Sequence, residues 1–419
     1  MSWLIWMVAA LDFGPPQAVA PSYEIAPDLR TADLDGDGDI DIIATAWLTG
    51  FIYWWENSGE SWIQHIVSEQ GFTGPRSIQP IDVEGDGDLD LVGVMIATGT
   101  VMWWENVGGR GLQWVDHVVA TGFTLAHGVS AGDIDVDGDI DIAVVGEPQL
   151  SWWENLDGAG TMWAQRVVAR GFLSGFSVEA VDLDGDCDLD LVATAVEGDE
   201  IAWWENTDVA GTVWEKHVLD NAYDGATELF AADVDGDGDL DVLGAAELAD
   251  EITWWENPAD DGVWLPHLVD TFDGGHTVLG ADLDADGDLD VVGTSFFDMD
   301  KVAWWENTDG SGTRWLRHAL VADFDHGLKP AVGDLDGDGD LDVVAGLYNQ
   351  DGTGAILWWA AQGCAADCAP AGGDGVVGIL DFLALLAAWG EASPCDIGDD
   401  GVVGILDLLN LLAAWGPCP

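Results

Sequence analysis

Positive charge is nearly absent from this chain. Ten Lys and Arg stand against 79 Asp and Glu in 419 residues, a formal charge of −69. Such a surface repels phosphate backbones and anionic lipid, which argues against nucleic-acid and membrane-surface partners and favours cations. No apolar run approaches the roughly 20 residues of a membrane span. The N-terminal WLIWMVAAL is apolar, and Ala18-Val19-Ala20 could pass for a signal-peptidase site. Yet no Lys or Arg precedes Arg30, so the basic start of a leader is missing. Cysteine is scarce as well. What is plentiful is Gly (55) and Trp (25) within 48% hydrophobic residues, a composition of short strands and tight turns around aromatic packing.

The acidic nonapeptide DLDGDGDID, Asp33 to Asp41, recurs from Asp82, Asp133, Asp182, Asp233, Asp282 and Asp334, at spacings of 49, 51, 49, 51, 49 and 52 residues. About twenty residues after each start comes a Trp pair, from Trp54-Trp55 to Trp358-Trp359, and the first six continue as WWEN. Each unit reads as four β-branched and aromatic segments bounded by Gly, Asp and Asn, the pattern of antiparallel strands joined by turns. Four strands at a period near fifty make one propeller blade, and seven units predict seven blades. The seventh unit lacks a fourth segment. Phe13 precedes Asp33 by the twenty residues that separate Trp62 from Asp82, so Phe13–Ala20 is expected to complete the last blade and close the ring, leaving no open sheet edge.

Acids at positions one, three, five and nine, a carbonyl at seven and Gly at six reproduce the start of an EF-hand loop. In the first copy the ligands are Asp33, Asp35, Asp37 and Asp41, with the Asp39 carbonyl. The second offers Asp82, Glu84, Asp86, Asp88 and Asp90, and the third Asp133, Asp135, Asp137, Asp139 and Asp141. The fourth offers Asp182, Asp184, Asp186, Asp188 and Asp190, and the fifth Asp233, Asp235, Asp237, Asp239 and Asp241. Asp282, Asp284, Asp286, Asp288 and Asp290 form the sixth, and Asp334, Asp336, Asp338, Asp340 and Asp342 the seventh. Calcium, which takes six to eight oxygens, is the expected ion; magnesium demands stricter geometry. Solvated acidic turns are the alternative. Val136 and Ala285 replace Gly at position four and Cys187 replaces Gly at position six, so the fourth loop is expected to bind most weakly. Each loop is expected to tie only its own strands.

The repeated DxDGDGDxD between strands resembles the FG-GAP/VCBS repeats of integrin-type β-propellers, over residues 13–360. That resemblance implies structural calcium on one face, ligands on the other, and recognition or adhesion outside the cell. Neighbouring residues of a strand face opposite sides, so each Trp pair is expected to fill both inter-blade spaces. His65, His117, His217, His267 and His318, with Arg166 in the third unit, read as outer-strand structural residues. Binding residues are expected where repeats differ: Arg76, His127, Phe176 and His276 before the first strands, and Trp47, Phe296, Phe297 and Tyr348 in the turns between second and third strands. Both sets belong on the face opposite the acid loops, where aromatic and polar groups suit a sugar or an extended peptide.

After Trp359 the composition changes. GDGVVGILDFLALLAAWG (373–390) and DDGVVGILDLLNLLAAWG (399–416) are near-identical. Asp396, Asp400 and Asp407 fall at positions one, five and twelve of a calcium loop, and Asp374 and Asp381 at five and twelve of its degenerate partner. This pair resembles a dockerin, which implies a cohesin-like partner and one or two further calcium sites; Ile405-Leu406 departs from the hydroxyl residues of cellulosomal dockerins. A calcium-clamped helical hairpin that caps the propeller is the alternative. Cys364, Cys368, Cys395 and Cys418 flank the loops and suggest two disulfides. The expected organisation is an apolar extension (1–12), an all-β seven-bladed propeller (13–360) and a small α-helical EF-hand-like module (361–419). Its expected role is extracellular or cell-surface recognition of a glycan or protein. No catalytic residue stands out, although a polysaccharide lyase or hydrolase on a propeller scaffold is a second reading.

Overall fold

A computed structural model describes residues 12–362 apart from 60, 69–72, 259–261, 297–301, 321–324 and 350. Beyond 362 it describes only 376–377, 382, 385–386, 403, 405, 408 and 416–417. Seven four-stranded antiparallel sheets follow one another along the chain. Blade 1 runs outward from Leu29–Ala32 through Asp41–Thr45 and Ile52–Asn57 to Trp62–Ile66. The first strands of blades 2 to 7 are Pro75–Ile81, Gly128–Gly132, Gly175–Val181, Ala226–Ala232, Gly275–Ala281 and His326–Gly333, and together they wall a central channel. Every second strand is buried along its length, as Asp90–Met95 is, which is why LDLVGVMI reads as a continuous apolar run rather than an alternating one. Outer strands such as Trp114–Ala120 present a half-exposed edge.

The ring closes through the N-terminus. Gln17–Tyr23 pairs with Gly354–Trp359 as the fourth strand of blade 7, so the closing strand lies slightly downstream of the expected Phe13–Ala20. Pro15-Pro16, which have no N–H to donate, interrupt it. Phe13 nevertheless occupies the slot inferred from its spacing. It pairs with Ala361 as Trp62 pairs with Asn57. Its ring meets Trp304 edge-on at 6.2 Å, as Trp62 meets Trp358 at 6.5 Å.

Seven separate apolar clusters lie between successive blades, and each Trp pair is split between two of them: Trp54 packs towards blade 2, Trp55 towards blade 7. Burying one Trp removes about 200 Å² from water, roughly 5 kcal/mol before entropy at 25 cal/mol/Å². Core packing therefore accounts for the paired tryptophans, as their recurrence suggests. The Trp54 indole also donates across the interface to the Gly111 carbonyl (3.0 Å), which accepts from Trp114 of its own blade as well (2.7 Å). His65, His117, His217, His267 and His318 each stack on the first Trp of the pair, at 4.2–4.5 Å. Each meets the Glu of WWEN at 2.7–3.0 Å. Arg166 takes the same place against Glu154.

Beyond Gln362, the described pieces include a two-residue ribbon, Val376–Val377 against Gly416–Pro417. Of the expected helical module, only isolated helical positions, Phe382, Leu385, Leu386, Ile405 and Leu408, are described, which does not establish it; its ligands Asp374, Asp381, Asp396, Asp400 and Asp407 and the four flanking cysteines lie outside the described residues.

Candidate functional site

Two regions concentrate chemistry, one on each face. Acid loops join first to second strands, whereas the turns from second to third strands and the segments entering first strands lie at the opposite end, because successive strands run antiparallel.

The seven acid loops share one geometry. The position-one carboxylate accepts from the backbone N–H of position six at 2.9–3.2 Å. Position five accepts from position seven at 3.0–3.1 Å. These bonds wrap the chain tightly; Gly36 and Gly38 take φ of +73° and +101°, and Val136, Ala285 and Cys187 are held at +57°, +57° and +79°. Position nine, expected as a ligand, bonds to the backbone through both of its oxygens. Its Oδ2 accepts from the N–H of position two at 2.8–3.1 Å. Its Oδ1 accepts, at 2.8–2.9 Å, from the N–H at or just beyond the end of the third strand: the Asn of WWEN in six blades, and Ala361 in blade 7. Asp41 and its equivalents are thus buried struts between strands.

The sequence-based expectation that each loop ties only its own strands is overturned by that Asn. Asn106 Nδ2 donates to the Leu89 carbonyl of its own loop and to the Leu34 carbonyl of the preceding blade's loop. Asn57, Asn206, Asn257 and Asn307 likewise reach the preceding loop, at Leu335, Ile134, Leu183 and Val234.

Each loop leaves carboxylate oxygens crowded together. In groups such as Asp33–Asp35–Asp37 and Asp133–Asp135–Asp141, one oxygen from each member lies within 4.8 Å of the others. Asp33 Oδ1, Glu84 Oε2, Asp135 Oδ1, Asp182 Oδ1 and Asp282 Oδ1 are buried and accept no hydrogen bond. Burial pushes Asp41 up to about 7 and Asp141 and Asp290 to about 8, against the pull of their N–H donors. A cage of hard oxygens with unused lone pairs fits a hard divalent cation of calcium's size.

At the opposite end, the structure assembles six of the eight residues expected to bind a ligand. Arg76 Nε donates to His127 Nδ1 (3.3 Å), and the Arg76 guanidinium lies 4.8 Å over Phe176. His127 stacks on Phe176 (4.9 Å), and Phe176 meets His276 edge-on at 5.6 Å. His276 touches Phe296 (4.2 Å), which leads through His326 to Tyr348 (5.4 and 4.6 Å). A continuous strip therefore crosses the channel mouth from blade 2 to blade 7. Trp47 has no place in these ring contacts, and Phe297 lies outside the described residues.

Sequence reasoning missed the channel floor. A cavity of about 430 Å³ is lined by Asp28, Arg30, Glu179, Glu228 and Lys329, none of them singled out from the sequence, together with Arg76, His127 and Phe176 of the strip. Lys329 Nζ pairs with Glu228 Oε1 at 3.0 Å, and Arg30 lies 3.5 Å from Asp28. Burial raises the Glu228 carboxyl, but Lys329 and the Ser177 hydroxyl outweigh it and hold it below its usual range. Burial pushes Glu179 up to about 7 and His127 down to about 3, the latter helped by Arg76. Charged residues inside an otherwise apolar first strand were the available signal.

The FG-GAP-like repeat family matches residues 10–93, 133–193, 182–244, 233–293 and 282–345. No curated protein matches the sequence. Among solved structures, an Agrocybe aegerita lectin that recognises non-reducing terminal N-acetylglucosamine superposes with a TM-score of 0.51 at 20% identity, over 73% of this chain and 81% of the lectin. BBS1N, solved in complex with ARL6DN, gives a TM-score of 0.55 at 12% identity, over 83% of this chain and 96% of that one. At these identities the likeness is one of fold.

Proposed function

The chain belongs to the FG-GAP-like repeat family, and from that premise we propose that it is a calcium-clamped, exported recognition module that binds a glycan at the channel mouth without catalysing a reaction. The aromatic and cationic strip from Arg76 to Tyr348 carries this reading. Half-buried rings interleaved with the imidazoles of His127 and His276, which burial holds in the neutral form, offer stacking faces and directed hydrogen bonds, which is what a sugar ring requires. The lectin-like propeller neighbour supports the same choice. Two of the channel acids are committed elsewhere, Glu228 to Lys329 and Ser177, and Asp28 to Leu29, Ser77 and Ile78, while Glu179 accepts from the Ala231 N–H.

Calcium enters as the scaffold's clamp. The orphaned buried oxygens of the acid loops support it, and bound calcium would neutralise the crowded carboxylates of each loop. Acid loops that need calcium and a cysteine-flanked C-terminal repeat both suit an extracellular setting. The duplicated segments at 373–390 and 399–416 support attachment to a cohesin-like partner.

The test is a glycan array probed with the full chain in calcium, alongside Phe176→Ala and His276→Ala. Saturable binding of a defined glycan set, lost in both variants, is expected. Folded protein that binds no glycan, or that depolymerises a polysaccharide it contacts, would sink the proposal.

A further inference from the structure

Three of the chain's ten cations, Arg30, Arg76 and Lys329, line the channel. Two of these are already matched, Lys329 to Glu228 and Arg30 to Asp28. Half-buried Arg317, on the outer strand of blade 6, likewise has Asp270 at 3.8 Å. Among the described residues, Arg76 is the half-buried cation that no carboxylate meets. Glu228 and Asp28 act on it only at longer range. Its Nε is occupied by His127 and one face by Phe176, which fixes the guanidinium and leaves its two terminal nitrogens as a free fork. A guanidinium taken partly out of water without a counter-charge is costly to keep, and a rigid fork of two parallel N–H donors matches one planar carboxylate.

We infer that Arg76 anchors the carboxylate of an acidic sugar, so that the glycan bound at this mouth carries a uronic or sialic acid residue. This rests on the glycan reading above. His127 completes the contact. Because its Nδ1 accepts from Arg76, the neutral ring carries its hydrogen on Nε2 and can donate to a hydroxyl beside the carboxylate. Phe176 and His276 then flank the ring. The surrounding charge makes the site selective, since a chain of −69 repels polyanions at long range and favours one isolated carboxylate over a densely charged polymer.

The experiment titrates the full chain in calcium with uronic- and sialic-acid-terminated oligosaccharides, each as free acid and as methyl ester. Wild type should bind the acid about tenfold or more tighter than its ester, the usual worth of a charge-assisted pair. Arg76→Gln should bring the ratio close to one while melting no lower than wild type, because an unpaired charge has been removed. Arg76→Lys should keep part of the preference. Equal binding of acid and ester, or a preference that survives in Arg76→Gln, overturns the inference and leaves the glycan reading standing. Preference for a free peptide C-terminus over any sugar acid, or no binding of any glycan, overturns both.

Discussion

The rim of acid loops and the channel mouth are built from the same seven repeats by opposite rules. At the rim, one arrangement is stamped seven times: position one to the N–H of six, position nine to the N–H of two and to the end of the third strand. At the mouth, the position six residues before each first Asp holds Pro27, Arg76, His127, Phe176, Thr227, His276 and Leu328 in turn. Repetition marks what every blade needs in order to fold. Variation marks what only one blade must do.

The widest separation between the two regions should come from adding a chelator. Mass action gives about 3 kcal/mol per site at a hundredfold excess of free ion over Kd, and seven loops acting together should move the melt by tens of degrees. Scanning calorimetry with and without EDTA, with bound metal counted by mass spectrometry, measures this. An unchanged melt and few ions would make the loops solvated acidic turns.

Next in size is Gly111→Ala. Gly111 sits at φ +61°, and an added Cβ would lie 2.4 Å from Trp54 Cζ2 of the neighbouring blade. Backbone strain and overpacking together should cost about 2–4 kcal/mol. Gly108→Ala is the control. Gly108 also has positive φ (+83°), but nothing lies within 4 Å of its Cβ position, so only the left-handed penalty of about 1 kcal/mol remains. Equal melts for the two would mean that the inter-blade Trp contact is slack.

A smaller comparison concerns Asn106 and Asn155, the same WWEN residue in adjacent blades. Asn106 Nδ2 bridges two loops, whereas Asn155 Nδ2 is buried without an acceptor; the structure offers no reason for the difference. Asn106→Ala strands two carbonyls and should cost about 1–3 kcal/mol, with Asn155→Ala costing less. Hydrogen exchange should show the first variant loosening blades 1 and 2 together. Loss confined to blade 2 would restore the independent-loop picture.

That cross-blade bridge shows where legibility stops. Blade number, the split Trp pairs and closure by an N-terminal strand were readable because each follows from spacing within one repeat, although that strand is Gln17–Tyr23 rather than Phe13–Ala20. Asn106 reaching Leu34 was not, since its partner lies 72 residues away and is defined only once the ring is closed. The mouth was half legible. Its variable residues could be picked out one by one, but Phe176 of blade 4 meeting His276 of blade 6 depends on how wide the channel is. Trp47 was as good a candidate by sequence, and it stands apart from those contacts.

The smallest expected effect tests whether departures within the rim are tolerated or used. Val136 occupies position four of the third loop at φ +57° with its side chain half exposed, and a β-branched residue there is strained by roughly 1–2 kcal/mol. Val136→Gly removes that strain but gives the unfolded chain about 0.5–1 kcal/mol of extra entropy. The net expectation is a gain between zero and about 1.5 kcal/mol, read as a small rise in melting temperature in both calcium and EDTA. If the rise appears only in calcium, Val136 weakens the ion's cage rather than the loop itself. If Val136→Gly melts lower in both, the isopropyl group makes a contact that outweighs its backbone, and this loop is a specialised member of the ring rather than an imperfect copy.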